Sequence, residues 1–114
     1  MNEKIELLKT TDDYIINLKS QISKAADCFQ SGEDEKGFNM VPSIAEGIEG
    51  IVKALQVTKD VLKQDISVDD LNEKLNEIVE AIENQDTLLI GDLFQYELIP
   101  IFKNIEQCVN SSVK

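Results

Sequence analysis

The stretch "SVDDLNEKLNEIVEAIEN", residues 67–84, decides the fold. Leu71, Leu75, Ile78 and Ile82 recur at steps of three and four, the period of an α-helix with one buried face. Glu73, Glu77, Glu80 and Glu83 occupy the other side, so the helix is wet on that face. Ser67 and Asp70 form a capping-box-like start, with aspartate in place of the usual glutamate. The helix is expected over about residues 67–84.

The same periodicity extends in both directions. Upstream, Ile15, Leu18, Ile22, Ala25, Ala26 and Phe29 predict a first helix over about 11–31, with Thr10, Thr11 and Asp12 able to accept from its first amides. Ile5 and Leu8 nearly continue the stripe, enough for a loose turn or two before it. Gly32 suits the left-handed position after a helix end. A second helix is expected over about 34–63, with Glu33, Asp34 and Glu35 at its positive dipole end. Its seam reads Phe38, Val41, Ala45, Ile48, Val52, Leu55 and Leu62. Pro42 falls early and is expected to kink the helix rather than end it. Downstream, a tight Asn84-Gln85-Asp86 connection leads to a fourth helix over about 87–110.

No strand-like alternation competes, and short connections make successive helices antiparallel neighbours. The expected fold is therefore all-α, an antiparallel up-down four-helix bundle forming a single domain over residues 1–114. "FQSGEDEKGFNMVP" and "IENQDTLLIGDLFQ" both read as helix end, acidic turn and helix start, which suggests two related helical hairpins. Cys28 and Cys108 each fall on an apolar stripe as small core residues. In such a bundle they lie ~25 Å apart, beyond disulfide reach.

Composition narrows the chemistry. A length of 114 residues suits one domain, and 42% apolar content argues against wholesale disorder. No apolar run approaches the ~20 residues that span a bilayer. The beginning "MNEKIELLKTTDD" has no signal-peptide core, so a cytoplasmic protein starting near Met1 is expected. The net charge of −11 repels nucleic acid and anionic lipid and favours a basic partner. All 11 cationic residues are lysine, so no guanidinium fork exists for phosphate, and the absence of histidine removes the commonest general base and metal ligand.

Di-iron bundles need Glu-x-x-His, a serine or cysteine relay needs a base, and phosphate-cradling glycine motifs are absent. One enzymatic alternative survives. Glu46-x-x-Glu49 and Glu83-x-x-Asp86 resemble the magnesium-binding pairs of all-helical nucleoside triphosphate pyrophosphohydrolases, since carboxylates three apart can share a hard cation. With 22 acidic residues in the chain such pairs arise easily, and no basic cluster stands ready for a triphosphate. No cofactor is expected.

The fourth helix raises a different question in "GDLFQYELIPIFKN", residues 91–104. Ile90, Phe94, Leu98, Ile101, Ile105 and Cys108 form the expected core stripe, widened by Phe102 and Val109. Leu89, Leu93, Tyr96 and Pro100 form a second strip, so the apolar arc exceeds the ~100° a bundle helix needs. Glu97 lies between the strips with no obvious route to water, and Pro100 cannot donate to the carbonyl of Tyr96. Leu89, Leu93, Tyr96, Glu97 and Pro100 are thus candidate partner contacts. On the second helix Ser43, Gly47, Gly50 and Ala54 form a small-residue strip, and Gly47 and Gly50 are a second candidate surface for close helix approach.

The segments "FQSGEDEKGFNMVPSIAEGIEGIVKAL" and "LNEKLNEIVEAIENQDTLLIGDLFQYELIPIF" resemble a family of short acidic all-helical proteins of low-GC Firmicutes, a domain of unknown function, over roughly residues 15–105. More distantly, the succession of helix, acidic turn and helix is similar to the flagellin-specific export chaperone. That resemblance implies a bundle that cradles client helices in apolar grooves. The expectation is a non-catalytic interaction module, an adaptor or chaperone-like protein that binds a protein partner or a second copy of itself, helix in groove.

Overall fold

The computed structural model describes residues 3–64, 66 and 68–113. Its elements are α1 (Glu3–Gln30), α2 (Asp34–Val57), a 3-10 turn (Lys59–Val61), α3 (Asp69–Glu83), α4 (Thr87–Leu93), a π-helical turn (Phe94–Leu98) and α5 (Ile99–Val113). The backbone stays helical at Leu93, Phe94 and Ile99, so α4, the π turn and α5 form one rod. The chain is all-helical among the described residues, in an arrangement compatible with a four-helix bundle.

α1 is longer than its stripe from Ile15 to Phe29 suggests. Leu8 is fully buried and Ile5 packs against the core, so burial continues toward the amino end. Thr10 and Thr11 do not cap a helix start. Their hydroxyls donate to the carbonyls of Glu6 and Leu7 one turn back, at 3.2 and 2.8 Å. Asp12 instead accepts from the Asn110 side chain at 3.2 Å.

α1 ends in a left-handed turn. Gly32 sits at φ +83°, and the Glu33 N–H donates to the Cys28 carbonyl at 2.8 Å. A side chain at that φ would press Cβ against the backbone, which is why glycine stands there. The turn between α3 and α4 closes in the same way. Gln85 takes φ +54°, and the Asp86 N–H donates to the Ala81 carbonyl at 2.9 Å. The two turns that resemble one another in sequence are thus the same backbone structure.

α2 runs through Pro42 but stops at Val57, short of the expected Lys63. Buried Thr58 ends it. Its N–H and hydroxyl both donate to the Ala54 carbonyl, at 3.1 and 2.7 Å, and Leu62 is already extended. Its buried seam is also rotated from the expected one. Ile44 and Ile51 join Ile48 and Leu55 in the core, while Ala45 is exposed and Val41 and Val52 are half-buried. α3 begins at Asp69 with Val68 at its cap position, and Ser67 of the expected capping box lies outside the described residues.

α1 is the spine, packed against α2 on one side and against the α4–α5 rod on the other. An edge-to-face aromatic cluster joins all three, with Phe29 centred 5.1 Å from Phe38 and 6.0 Å from Phe94. Ion pairs Lys4–Asp60 (2.8 Å) and Lys19–Glu106 tie α1 to the segment after α2 and to α5. The loop after α2 docks on the end of α5. There the Lys63 N–H donates to Ser112 at 3.0 Å, and the Cys108 thiol lies 3.7 Å from the Gln64 carbonyl. Both cysteines are free thiols.

Candidate functional site

α3 packs against α4 and the π turn, and α2 packs against α1, but α2 and α3 do not pack closely on each other. Their facing apolar rows therefore bound a cleft of about 530 Å³. The α2 wall presents Val41, Ala45, Ile48 and Val52, and the α3 wall presents Leu75, Ile78, Val79 and Ile82. Phe94 and Leu98 of the rod, both buried, form its floor. Polar groups are confined to the edge, where Glu49, Lys53, Gln56 and Asn72 stand. Glu49 and Lys53 pair with each other at 3.1 Å.

The floor residues are set by the π turn. In a straight α-helix the ring of Pro100 would clash with the carbonyl one turn back and leave it without a donor. Here the Ile99 N–H donates to the Phe94 carbonyl, one residue further back than the α-helical acceptor Gln95. The wider turn makes room for the ring and re-aims the residues after it. Leu98, Phe102, Ile105 and Val109 then continue the buried face begun by Ile90 and Phe94.

That geometry rearranges the candidate strip on the fourth helix. Leu93 is only 8% exposed and belongs to the core, whereas Tyr96 is 67% and Leu89 42% exposed. Pro100 faces solvent. Glu97 is not stranded among apolar groups. Its side chain is about half exposed, and its carboxylate lies 3.8 Å from Lys74, latching α3 to the π turn. Lys74 titrates above the ordinary lysine value, chiefly through its hydrogen bond to Glu77, with Glu97 adding to the attraction.

The small-residue strip on α2 is used partly inside the chain. A Cβ on Gly47 would come within 3.0 Å of the Leu18 side chain, so the helix that approaches closely there is α1 itself. Gly50 faces open space. Both glycines line a second, broader cleft of about 650 Å³ between α1 and α2, whose wall mixes Tyr14, Asn17, Lys24 and Glu46 with apolar groups. Such a mixed wall offers little contiguous apolar surface.

The acidic pairs do not converge. Glu46 faces the α1–α2 cleft and Glu49 the α2–α3 cleft, while Asp86 accepts the Leu89 N–H at 3.3 Å as the cap of α4. Among the described residues no three Asp, Glu or Cys side chains come together as a metal site. No helix there is long and apolar enough to cross a membrane.

The α2–α3 cleft was not legible as a site because each of its walls reads in sequence as half of a closed core. The available signals were the breadth of the α2 arc and the position of Val79, which lies outside the narrow stripe of α3 and is 52% exposed.

These features define an all-helical domain that carries an open apolar cleft between two of its helices. The chain belongs to a family described as a domain of unknown function, DUF8042, which matches residues 6–108. No curated protein and no solved structure matches it.

Proposed function

We propose that this protein is a non-catalytic interaction module of the cytoplasm, an antiparallel up-down bundle that holds an amphipathic helix of another protein in the α2–α3 cleft. The observation that carries this reading is the cleft itself. Two apolar walls face a gap, and buried aromatic and aliphatic side chains form its floor. This is the shape that helix-in-groove recognition uses. It is also the mode implied by the likeness to flagellin-specific export chaperones. The antiparallel arrangement is supported by the pairing of the start of α1 with the segment after α2 and of Phe29 with Phe38.

Magnitudes agree with a reversible binder. Four apolar anchors buried at ~1.5–3 kcal/mol each would give ~6–12 kcal/mol gross. Loss of translational freedom and side-chain ordering cost ~4 kcal/mol or more, leaving at most ~8 kcal/mol, an affinity no tighter than about micromolar.

The test is fluorescence anisotropy with a labelled amphipathic peptide about four turns long and a composition-matched peptide whose apolar stripe is scrambled. The striped peptide should bind, and Val79→Gln should weaken it because that side chain stands half-exposed on the cleft wall. Tyr96→Lys, on the outer strip, should leave binding unchanged. Equal binding of the scrambled peptide, or loss with Tyr96→Lys but not with Val79→Gln, would reject the cleft as the site.

A further inference from the structure

We infer that the helix taken by the cleft carries basic residues along its flanks and belongs to a different protein rather than to a second copy of this chain. The inference rests on the reading of the cleft as a helix-docking site, and three observations fix the occupant.

The first is size. The α2 wall extends from Val41 to Gln56, which at ~1.5 Å per residue is a length of ~24 Å and matches a helix of about 16 residues.

The second is local charge. Going outward from Val79, the solvent edge of α3 presents Glu83 and Glu80, which form no ion pair among the described residues. Across the cleft the one lysine on the wall, Lys53, is already neutralised by Glu49. The α3 rim therefore offers uncompensated negative charge, and the cleft walls offer no uncompensated positive charge.

The third is the field of the whole molecule. A second copy would bring another net charge of −11, and its own apolar helix faces are flanked by the same glutamates. Like charges brought together across an interface oppose docking, whereas lysines or arginines flanking an apolar stripe would meet the acidic α3 rim.

Three labelled 16-residue peptides sharing one apolar stripe, with lysine, glutamine or glutamate on their flanks, separate the possibilities by anisotropy at low and high salt. A fourth peptide keeps the lysines and scrambles the stripe. The lysine peptide should bind about tenfold or more tighter than the glutamate peptide at low salt, and the gap should shrink as salt screens the rims. The scrambled lysine peptide should bind weakly. The double variant Glu80→Lys, Glu83→Lys, checked for an unchanged helical circular-dichroism spectrum, should abolish the preference for lysine.

Equal binding of the lysine and glutamate peptides overturns the charge inference and leaves helix docking standing. Equal binding of the scrambled lysine peptide overturns it too, because acid alone would then be the attractant. Failure of every striped peptide overturns the docking reading itself. A dimer in sedimentation equilibrium that Val79→Gln dissociates would make the second copy the occupant and overturn the inference.

Discussion

One substitution, made at two points of the same helix, tests how α2 is turned against the rest of the molecule. Gly37 and Gly50 both lie inside α2, where replacing glycine by alanine ordinarily gains up to ~1 kcal/mol through reduced backbone entropy. Gly50 faces open space, so Gly50→Ala should realise most of that gain. At Gly37 a Cβ would meet Cε1 and Cζ of Phe29 at 2.8 Å, and that ring is held edge-on between Phe38 and Phe94. It cannot withdraw without disturbing both neighbours. Overpacking of this kind costs ~1–3 kcal/mol, which exceeds the propensity gain and leaves Gly37→Ala a net loss of about 1 kcal/mol. With unfolding entropy of ~2.1 cal/mol/K per residue, a chain of 114 residues shifts in Tm by about 4 °C per kcal/mol. Thermal melts followed by circular dichroism should therefore place Gly50→Ala about 4 °C above the wild type and Gly37→Ala about 4 °C below it. If both variants rose together, Phe29 would not be packed on Gly37, and the rotation of α2 that opens the cleft would be wrong.

Three further outcomes rest on particular contacts. The hydrogen bond from Lys4 holds the Asp60 carboxyl below its ordinary value of 3.8, so its contribution to stability is present above that pH and lost as pH falls through the lower folded value. The Tm difference between the wild type and Asp60→Asn should accordingly be visible at pH 7 and vanish in strong acid, and a difference that grew on acidification would contradict the pairing. Burial pushes the Cys108 thiol up, and the loop after α2 covers it, so it should react with a disulfide reagent more slowly than half-buried Cys28, with the order read by mass spectrometry of the labelled peptides. Removing an interior proline from a straight helix should gain ~3 kcal/mol, but the π turn already accommodates Pro100, so Pro100→Ala should change stability by no more than ~1 kcal/mol, and a Tm rise near 12 °C would refute that accommodation.

Much of this molecule could be read from its residues, for reasons that are local. The starts of α2 at Asp34 and of α4 at Thr87, and the left-handed turn at Gly32, depend on neighbours within one or two turns of chain. The premature end of α2 was hidden because Thr58 fits a helix until its hydroxyl takes the carbonyl of Ala54. The cleft was hidden for a different reason. An apolar row such as Leu75, Ile78 and Ile82 has the same spacing whether it meets a neighbouring helix or a gap, and only the distance between α2 and α3 distinguishes the two.

The π turn explains why the apolar arc of the fourth helix is narrower than a regular wheel makes it, although Leu89 and Tyr96 stay exposed. At ~100° per residue, Ile90 and Phe102 of a straight α-helix would point ~120° apart, and no single neighbour could bury both. Both are fully buried here. The wider turn at Phe94–Leu98 takes back part of that drift, so the stripe that looked too broad on a regular wheel becomes one face. Leu93 enters the core by the same correction, and Ile101, expected in the core, is left half-buried. A proline that cannot donate thus aligns Phe94 and Leu98 toward α2 and α3, where they floor the cleft. Apolar surface in excess of what this fold can bury therefore lies between those two helices as well as on the outer strip of Leu89 and Tyr96.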